Sequence, residues 1–167
     1  TTQLEALRSL PDLVWIEWNV TRAVEETGAE EETARAVAEV EAAFAAGRDA
    51  CVYTSREYRG TVQGGEADLA FSTRVSMGLV EIVRRLRTRP GFILAKGGIT
   101  SSDIGVKGLE VERAMVVGQI RPGVPVWRLG RESRFPGLPY VIFPGNVGNE
   151  TTLREAVAIL RGNMVDG

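Results

Sequence analysis

Four apolar residues, Phe92-Ile93-Leu94-Ala95, run directly into Lys96-Gly97-Gly98, and the next positions are Ile99, Thr100, Ser101, Ser102 and Asp103. The apolar run suits a buried strand, and Thr, Ser and Asp are residue types that start helices. The stretch therefore reads as strand, glycine turn, helix. Such a turn leaves backbone N–H groups facing outward at the positive end of a helix, a seat for phosphate or carboxylate. The same order recurs later in the chain. Tyr140-Val141-Ile142-Phe143 leads into Pro144-Gly145-Asn146-Val147-Gly148-Asn149 and then a helix. There Thr152 and Glu155 have capping-box spacing, and Leu153, Ala156, Val157 and Leu160 form the apolar stripe.

The intervening elements decide how these two units relate. Leu4, Leu7 and Leu10 are at helical spacing before Pro11, so the chain opens on a helix with no strand before it, as in a fold already under way. Leu13 to Trp18 reads as a strand, Thr21 to Gly28 as a polar connection, and Glu30 to Ala46 as a helix with Ala34, Val37, Ala38 and Phe44 along one side. Ala50 to Thr54 is the next strand. Ser55 to Asp68, with Arg56, Arg59, Gly60, Gly64 and Gly65, reads as a long exposed loop. Leu69 to Arg87 is a helix with Phe71, Val75, Leu79, Ile82, Val83 and Leu86 on one face, and its arginine-rich end suits the helix dipole.

Crossover helices of this length imply parallel strands. Val111 to Ile120, the turn signal Arg121-Pro122-Gly123, and Val124 to Leu129 then predict an antiparallel hairpin. The fold class expected is α/β: a three-layer, mostly parallel sheet with an added antiparallel hairpin and helices on both faces. Both glycine turns would fall at the carboxyl edge of that sheet, where ligands of doubly wound folds bind. Two turns so placed could flank one polyphosphate.

Composition narrows the chemistry. The chain has 167 residues, a net charge of −2 and no histidine. Without imidazole there is no Ser-His-Asp or Cys-His catalysis and no His-ligated zinc. The charge balance argues against a nucleic-acid surface, and the apolar runs are too short for a membrane span. No secretion signal opens the sequence, so a cytoplasmic location is the expectation. Cys51, the single cysteine, sits in an apolar run as a small hydrophobe.

Neither turn matches a complete phosphate motif, since both G-x-x-x-x-G-K-[ST] and G-x-G-x-x-G are absent. Each alone fits a plain turn better than a binding turn, and only the pair leaves the two readings evenly balanced. Lys96 could reach a phosphate or stay solvated, and Asp103 could hold a metal or cap a helix. Trp127 with Arg128, Arg131 and Arg134 could form a subunit or interdomain face, or a solvated loop.

Three blocks carry a family resemblance: Lys96-Gly97-Gly98-Ile99-Thr100-Ser101, Val117-Gly118-Gln119-Ile120-Arg121-Pro122-Gly123-Val124-Pro125-Val126-Trp127, and Phe143-Pro144-Gly145-Asn146-Val147-Gly148. In that order they resemble the C-terminal, nucleotide-binding domain of the four-carbon acid sugar kinases (DUF1537), over nearly all of the chain. The resemblance implies one nucleotide-binding domain over 1–167, a fragment lacking its first strand and the family's N-terminal substrate domain. It implies an ATP-dependent kinase, a transferase of carbohydrate metabolism, acting on threonate- or erythronate-type acids. ATP and Mg2+ are the cofactors so implied, and a homo-oligomer is possible.

The nucleotide contacts implied are Lys96, Gly97, Gly98, Ile99, Thr100 and Ser101 in the first turn and Gly145, Asn146, Val147 and Gly148 in the second. Many members carry an acidic residue where this chain has Ile99, which leaves Asp103 as the nearest metal candidate. No residue of the chain is identified as the catalytic base. Two readings of other kinds stay open: a non-catalytic binding or effector module of the same fold, and another α/β enzyme acting on a phosphorylated or carboxylated metabolite.

Overall fold

The computed structural model describes residues 2–25, 27–55 and 66–162. Most of the loop expected between Ser55 and Asp68 lies outside these, including Arg56, Arg59, Gly60, Gly64 and Gly65. The chain forms two compact units, Asp12–Thr88 on the one hand and Thr1–Pro11 with Arg89–Gly167 on the other.

In the Asp12–Thr88 unit, β1 (Leu13–Trp18) and β2 (Asp49–Thr54) pair in parallel, from Leu13 opposite Asp49 to Trp18 opposite Thr54. Helix α3 (Gly28–Ala45) packs on both strands and also against α2 (Val20–Val24) and α4 (Glu66–Arg85). Helix α2 replaces part of the polar connection expected from Thr21 to Gly28. Asn19 Oδ1 accepts from the Arg22 amide at 3.1 Å, and the buried Glu32 carboxylate accepts from the Asn19 amide at 2.7 Å. Asn19 is a local cap signal for α2, while the partner of its own amide lies thirteen positions away.

The buried face of α3 also differs from expectation. Ala34 and Ala38 are exposed and Val37 and Phe44 half-buried, whereas Glu32, Thr33, Ala36, Val40 and Ala43 face inward. In an alanine-rich helix the apolar contrast between faces is weak, and the phase of the stripe is then set by what the helix packs on. Along α4, Ile82 and Leu86 are buried as expected, joined by Ser76 and Val80. Gly78 admits the Trp18 ring: a Cβ there would lie 2.1 Å from Trp18 Cη2.

In the other unit, β3 (Ile93–Lys96), β4 (Ala114–Arg121), β5 (Val124–Leu129) and β6 (Pro139–Phe143) form one ladder in the order β3-β6-β5-β4. β3 and β6 are parallel, and β5 is antiparallel to both β4 and β6. The expected hairpin is therefore present, turned at Gly123 (φ +78°), and it joins the parallel pair through β6. The α/β class with parallel and antiparallel strands is as expected. The strands expected in one mostly parallel sheet are instead hydrogen-bonded as two ladders among the described residues. The length of α4 requires a crossover but does not specify which strand β3 will pair with.

Helix α5 (Gly98–Asp103) packs against β3 and β6 and widens into a π-turn over Ile104–Gly108. The helix α6 (Thr152–Gly162) packs against β4 and against the first helix, α1 (Thr2–Ala6). Tyr140, Val141, Phe143, Leu109, Leu138 and Val124 are fully buried and centre the core on β6.

Candidate functional site

β3 and β6 run side by side from Ile93 opposite Tyr140 to Lys96 opposite Phe143. The two glycine turns consequently leave the carboxyl ends of adjacent parallel strands. The Gly97 amide donates to the Phe143 carbonyl at 2.8 Å, and Lys96 Nζ donates to the Gly145 carbonyl at 3.3 Å. Each turn thus carries a bond to the strand or turn beside it.

Gly97 has φ +108° and ψ 135°, a conformation open to glycine and costly for other residues. It swings the chain out of β3 and into α5, so the amides of Gly98, Ile99 and Thr100 open a helix with no carbonyl four residues back inside it. Gly98 is exposed, and a Cβ built on it would meet no atom within 4 Å. Ile99 is 75% exposed at the tip of the turn, and Thr100, half-buried, lies beside Gly97.

Ser101 differs from its neighbours in the expected contact set. It is buried, and its hydroxyl donates to the Ala95 carbonyl at 2.8 Å and the Gly97 carbonyl at 2.5 Å. Its own carbonyl accepts from the Tyr140 hydroxyl at 2.6 Å. Ser101 therefore holds the turn in shape from the inside.

The second turn is held by other means. Gly148 has φ +80°, and a Cβ there would lie 2.5 Å from Thr152 Oγ1. Gly145 and Asn146 are exposed, and a Cβ on Gly145 would meet nothing within 4 Å. Val147 is half-buried, and its carbonyl accepts from Gln3 Nε2 at 3.1 Å. The same Gln3 nitrogen donates to the Asn149 carbonyl at 2.8 Å. The capping box expected at Thr152 and Glu155 is shifted by three residues. Asn149 Oδ1 accepts from the Thr151 amide at 3.0 Å, and the Asn149 amide donates to Thr152 Oγ1 at 2.9 Å. Glu155 instead takes the Thr151 hydroxyl at 2.8 Å and the Arg121 guanidinium at 2.8 Å.

Lys96 is the cation between the turns. Its ammonium lies 5.3 Å from the centre of the Phe143 ring, and partial burial pulls its pKa below the ordinary lysine value. Desolvation is the cause of that shift, and no carboxylate among the described residues pairs with the ammonium. Asp103 is at the end of α5 and makes no side-chain cap; its carboxylate pairs with Lys107 at 2.9 Å. Among the described residues no three His, Cys, Asp or Glu side chains stand together in a metal-holding group. Asp103 is thus paired and Glu155 tied to Arg121, while Glu150, two residues beyond Gly148, and Asn146 within the second turn are exposed.

The edge formed by the turns is open rather than enclosed. A cleft of about 600 Å³ lies elsewhere, within the Asp12–Thr88 unit, with Trp18, Ala23, Ala29, Met77 and Gly78 among its walls and Arg74 at its rim. Glu25, Glu30, Glu81 and Arg85 also line that cleft, while the turns present outward amides and a lysine of the kind that suits an anion. Gln3 and Asn149 support the second turn, Gln3 by donating to the Val147 and Asn149 carbonyls and Asn149 by capping α6. No helix of the described residues is long and apolar enough to cross a membrane.

Residues 1–153 match the family of nucleotide-binding C-terminal domains. Solved structures show the same fold. A DUF1537 protein from Bordetella bronchiseptica, with bound citrate and as a domain-swapped dimer, aligns at 24% identity and a TM-score of 0.67, over 96% of this chain and 37% of that one. A DUF1537-family protein from Haemophilus influenzae aligns at 19% identity and a TM-score of 0.70, over 95% and 37%. A Salmonella typhimurium protein provisionally labelled a tRNA synthase aligns at 16% identity and a TM-score of 0.69, over 93% and 36%. No curated protein matches the chain by sequence. The chain spans little more than a third of the length of these structures. It belongs to the family of nucleotide-binding C-terminal domains, the domain to which its resemblance to the four-carbon acid sugar kinases pointed.

Proposed function

We propose that this domain holds the phosphate chain of ATP across the Gly97–Gly98 and Gly145–Gly148 turns, as the nucleotide-binding part of a kinase for four-carbon acid sugars. The observation that carries this reading is the pairing of β3 with β6, which sets both glycine turns side by side with Lys96 bonded across them. Membership of the nucleotide-binding family supports the class of ligand. Gly98 and Gly145 leave the backbone open to a close approach by phosphate, while Gly97 and Gly148 supply the bends.

Phosphoryl transfer requires charge neutralisation, an in-line acceptor and exclusion of water. In this reading the outward amides, the Thr100 hydroxyl and the Lys96 ammonium meet the first requirement. The acid sugar and the base that accepts its proton are assigned to the part of a longer polypeptide that this chain does not span. The isolated chain accordingly binds nucleotide without transferring phosphate. The Bordetella protein is a domain-swapped dimer, and we extend self-association to this chain as part of the same proposal.

A thermal-shift titration with ATP tests the reading. Ligand at one hundred times Kd raises apparent stability by about 2.7 kcal/mol. A flat melting temperature up to millimolar ATP, combined with tight capture of a protein partner, would favour the effector-module reading. A response to sugar phosphates or small carboxylates in place of ATP would favour a different α/β enzyme.

A further inference from the structure

We infer that Gln3 is a positioning residue of the nucleotide edge: by holding two carbonyls of the second glycine turn it aims the Gly148 amide at the phosphate chain, without touching the ligand itself. The inference rests on the nucleotide reading above and names a residue, distant in sequence from both turns, on which that binding depends.

In a trans peptide the C=O of one residue and the N–H of the next point in opposite directions across one plane. A donor that holds the Val147 carbonyl therefore also aims the Gly148 amide the other way. Gln3 Nε2 is that donor, at 3.1 Å, and among the described residues the Val147 carbonyl has no other. The Gln3 amide carries two protons and meets two carbonyls, the second being that of Asn149 at 2.8 Å. Asn149 is less dependent on it, because its carbonyl also takes the Thr152 amide at 3.3 Å.

The rest of Val147 is held as well. Its amide donates to the Pro144 carbonyl at 3.5 Å, and a Cβ built on Gly123 of the hairpin turn would lie 3.2 Å from its Cγ1. Beyond it, Gly148 is exposed, and its amide meets no acceptor among the described residues. A turn that takes an anion has to present amides and keep its carbonyls off the binding side. Glycine at position 148 lets the 147–148 peptide turn over at little steric cost once the carbonyl is released. Gln3 is what prevents that reversal, which would put an oxygen where the amide now stands.

Calorimetric titration of the whole chain with ATP, and separately with inorganic tripolyphosphate, tests the inference in the wild type and in Gln3→Met. The substitution keeps the length of the side chain and removes both donors. At a temperature where circular dichroism shows both proteins folded, Gln3→Met should weaken both ligands by about fivefold or more. A lowered Tm with affinities unchanged within about twofold would show that Gln3 only fastens α1, and would overturn the inference while leaving the nucleotide reading standing. A loss confined to ATP would also overturn it, since the effect would then lie at the nucleoside. A second measurement does not depend on the variant folding: in the wild type the amide resonance of Gly148 should shift when ATP is added. A Gly148 resonance that stays in place while ATP binds would overturn the inference. Binding of neither ligand by the wild type removes the nucleotide reading and this inference together.

Discussion

The Gly97 amide donates to the Phe143 carbonyl at 2.8 Å, one rung beyond the last residue pair of the β3–β6 ladder. The bond sits where both strands become turns, so the spacing of the turns is set by sheet geometry rather than by the loops. That makes the four glycines separable by experiment, because each pair answers to a different constraint.

Gly97→Ala and Gly148→Ala place a side chain at φ +108° and φ +80°, and the second also drives a Cβ to 2.5 Å from Thr152. Each should cost about 1–3 kcal/mol. Gly98→Ala and Gly145→Ala meet no atom and should change stability by less than about 0.5 kcal/mol. The latter two should nonetheless reduce the thermal shift given by ATP, since a methyl would stand where phosphate approaches the backbone. Denaturant melts with and without nucleotide check this, and an undiminished ATP shift in both silent variants would count against the turns as the binding edge.

Tyr140→Phe removes the hydroxyl that donates to the Ser101 carbonyl at 2.6 Å inside the core. The Ser101 carbonyl keeps the Ile104 amide as a donor, so the loss should be about 0.5–1.5 kcal/mol. For a chain of this size that corresponds to about 2–4 °C in Tm per kcal/mol. Calorimetry of the pair is sufficient, and coincident melts would mean that water takes the place of the hydroxyl.

Acid should weaken both units, the Asp12–Thr88 unit through Glu32, Glu30 and Glu41 and the other through Glu132 and Glu155. Glu32 is buried, and Arg35, which donates to it at 2.6 and 3.1 Å, holds its carboxyl below the ordinary 4.5 together with the Asn19 amide. Arg85 does the same for Glu30, and Thr88 for Glu41. A carboxyl depressed in the folded state stabilises fully above its unfolded pKa, and that stability is lost as pH falls through the folded value. Tm should therefore be level above about pH 5 and fall as the pH drops below 4.5. Glu32→Gln should lower stability at neutral pH by about 1–3 kcal/mol and flatten the acid limb. Parallel acid limbs in the two proteins would remove Glu32 as the responsible group.

Asn149→Ala deletes the acceptor for the Thr151 amide and for the Thr152 hydroxyl, each at 3.0 Å. The loss should be about 1 kcal/mol. Amide exchange should locate it at the start of α6. Protection lost evenly across the unit instead would show that the cap is not a local device.

Much of this arrangement was legible in the sequence. β1 and β5 fall on the expected residues, and both glycine turns are expected at the carboxyl edge of a parallel sheet, whereas the direct pairing of β3 with β6 is not readable from the sequence. Period-two runs bounded by glycine and proline carry such information within a few residues. The misses share one cause. The cap of α6 uses Asn149 in place of Thr152, and the buried face of α3 is chosen by its neighbours rather than by its alanines. Ser101 reads as one more polar residue of a binding turn until the structure shows its hydroxyl turned inward to Ala95.

Gln3 adds a constraint of timing. Its amide nitrogen bonds to carbonyls 144 and 146 residues further on. During synthesis the second glycine turn cannot gain this support until the ribosome has reached Asn149. At about 5–20 residues per second, Gln3 waits on the order of ten seconds for its partners. The second glycine turn thus depends on a side chain made well before it.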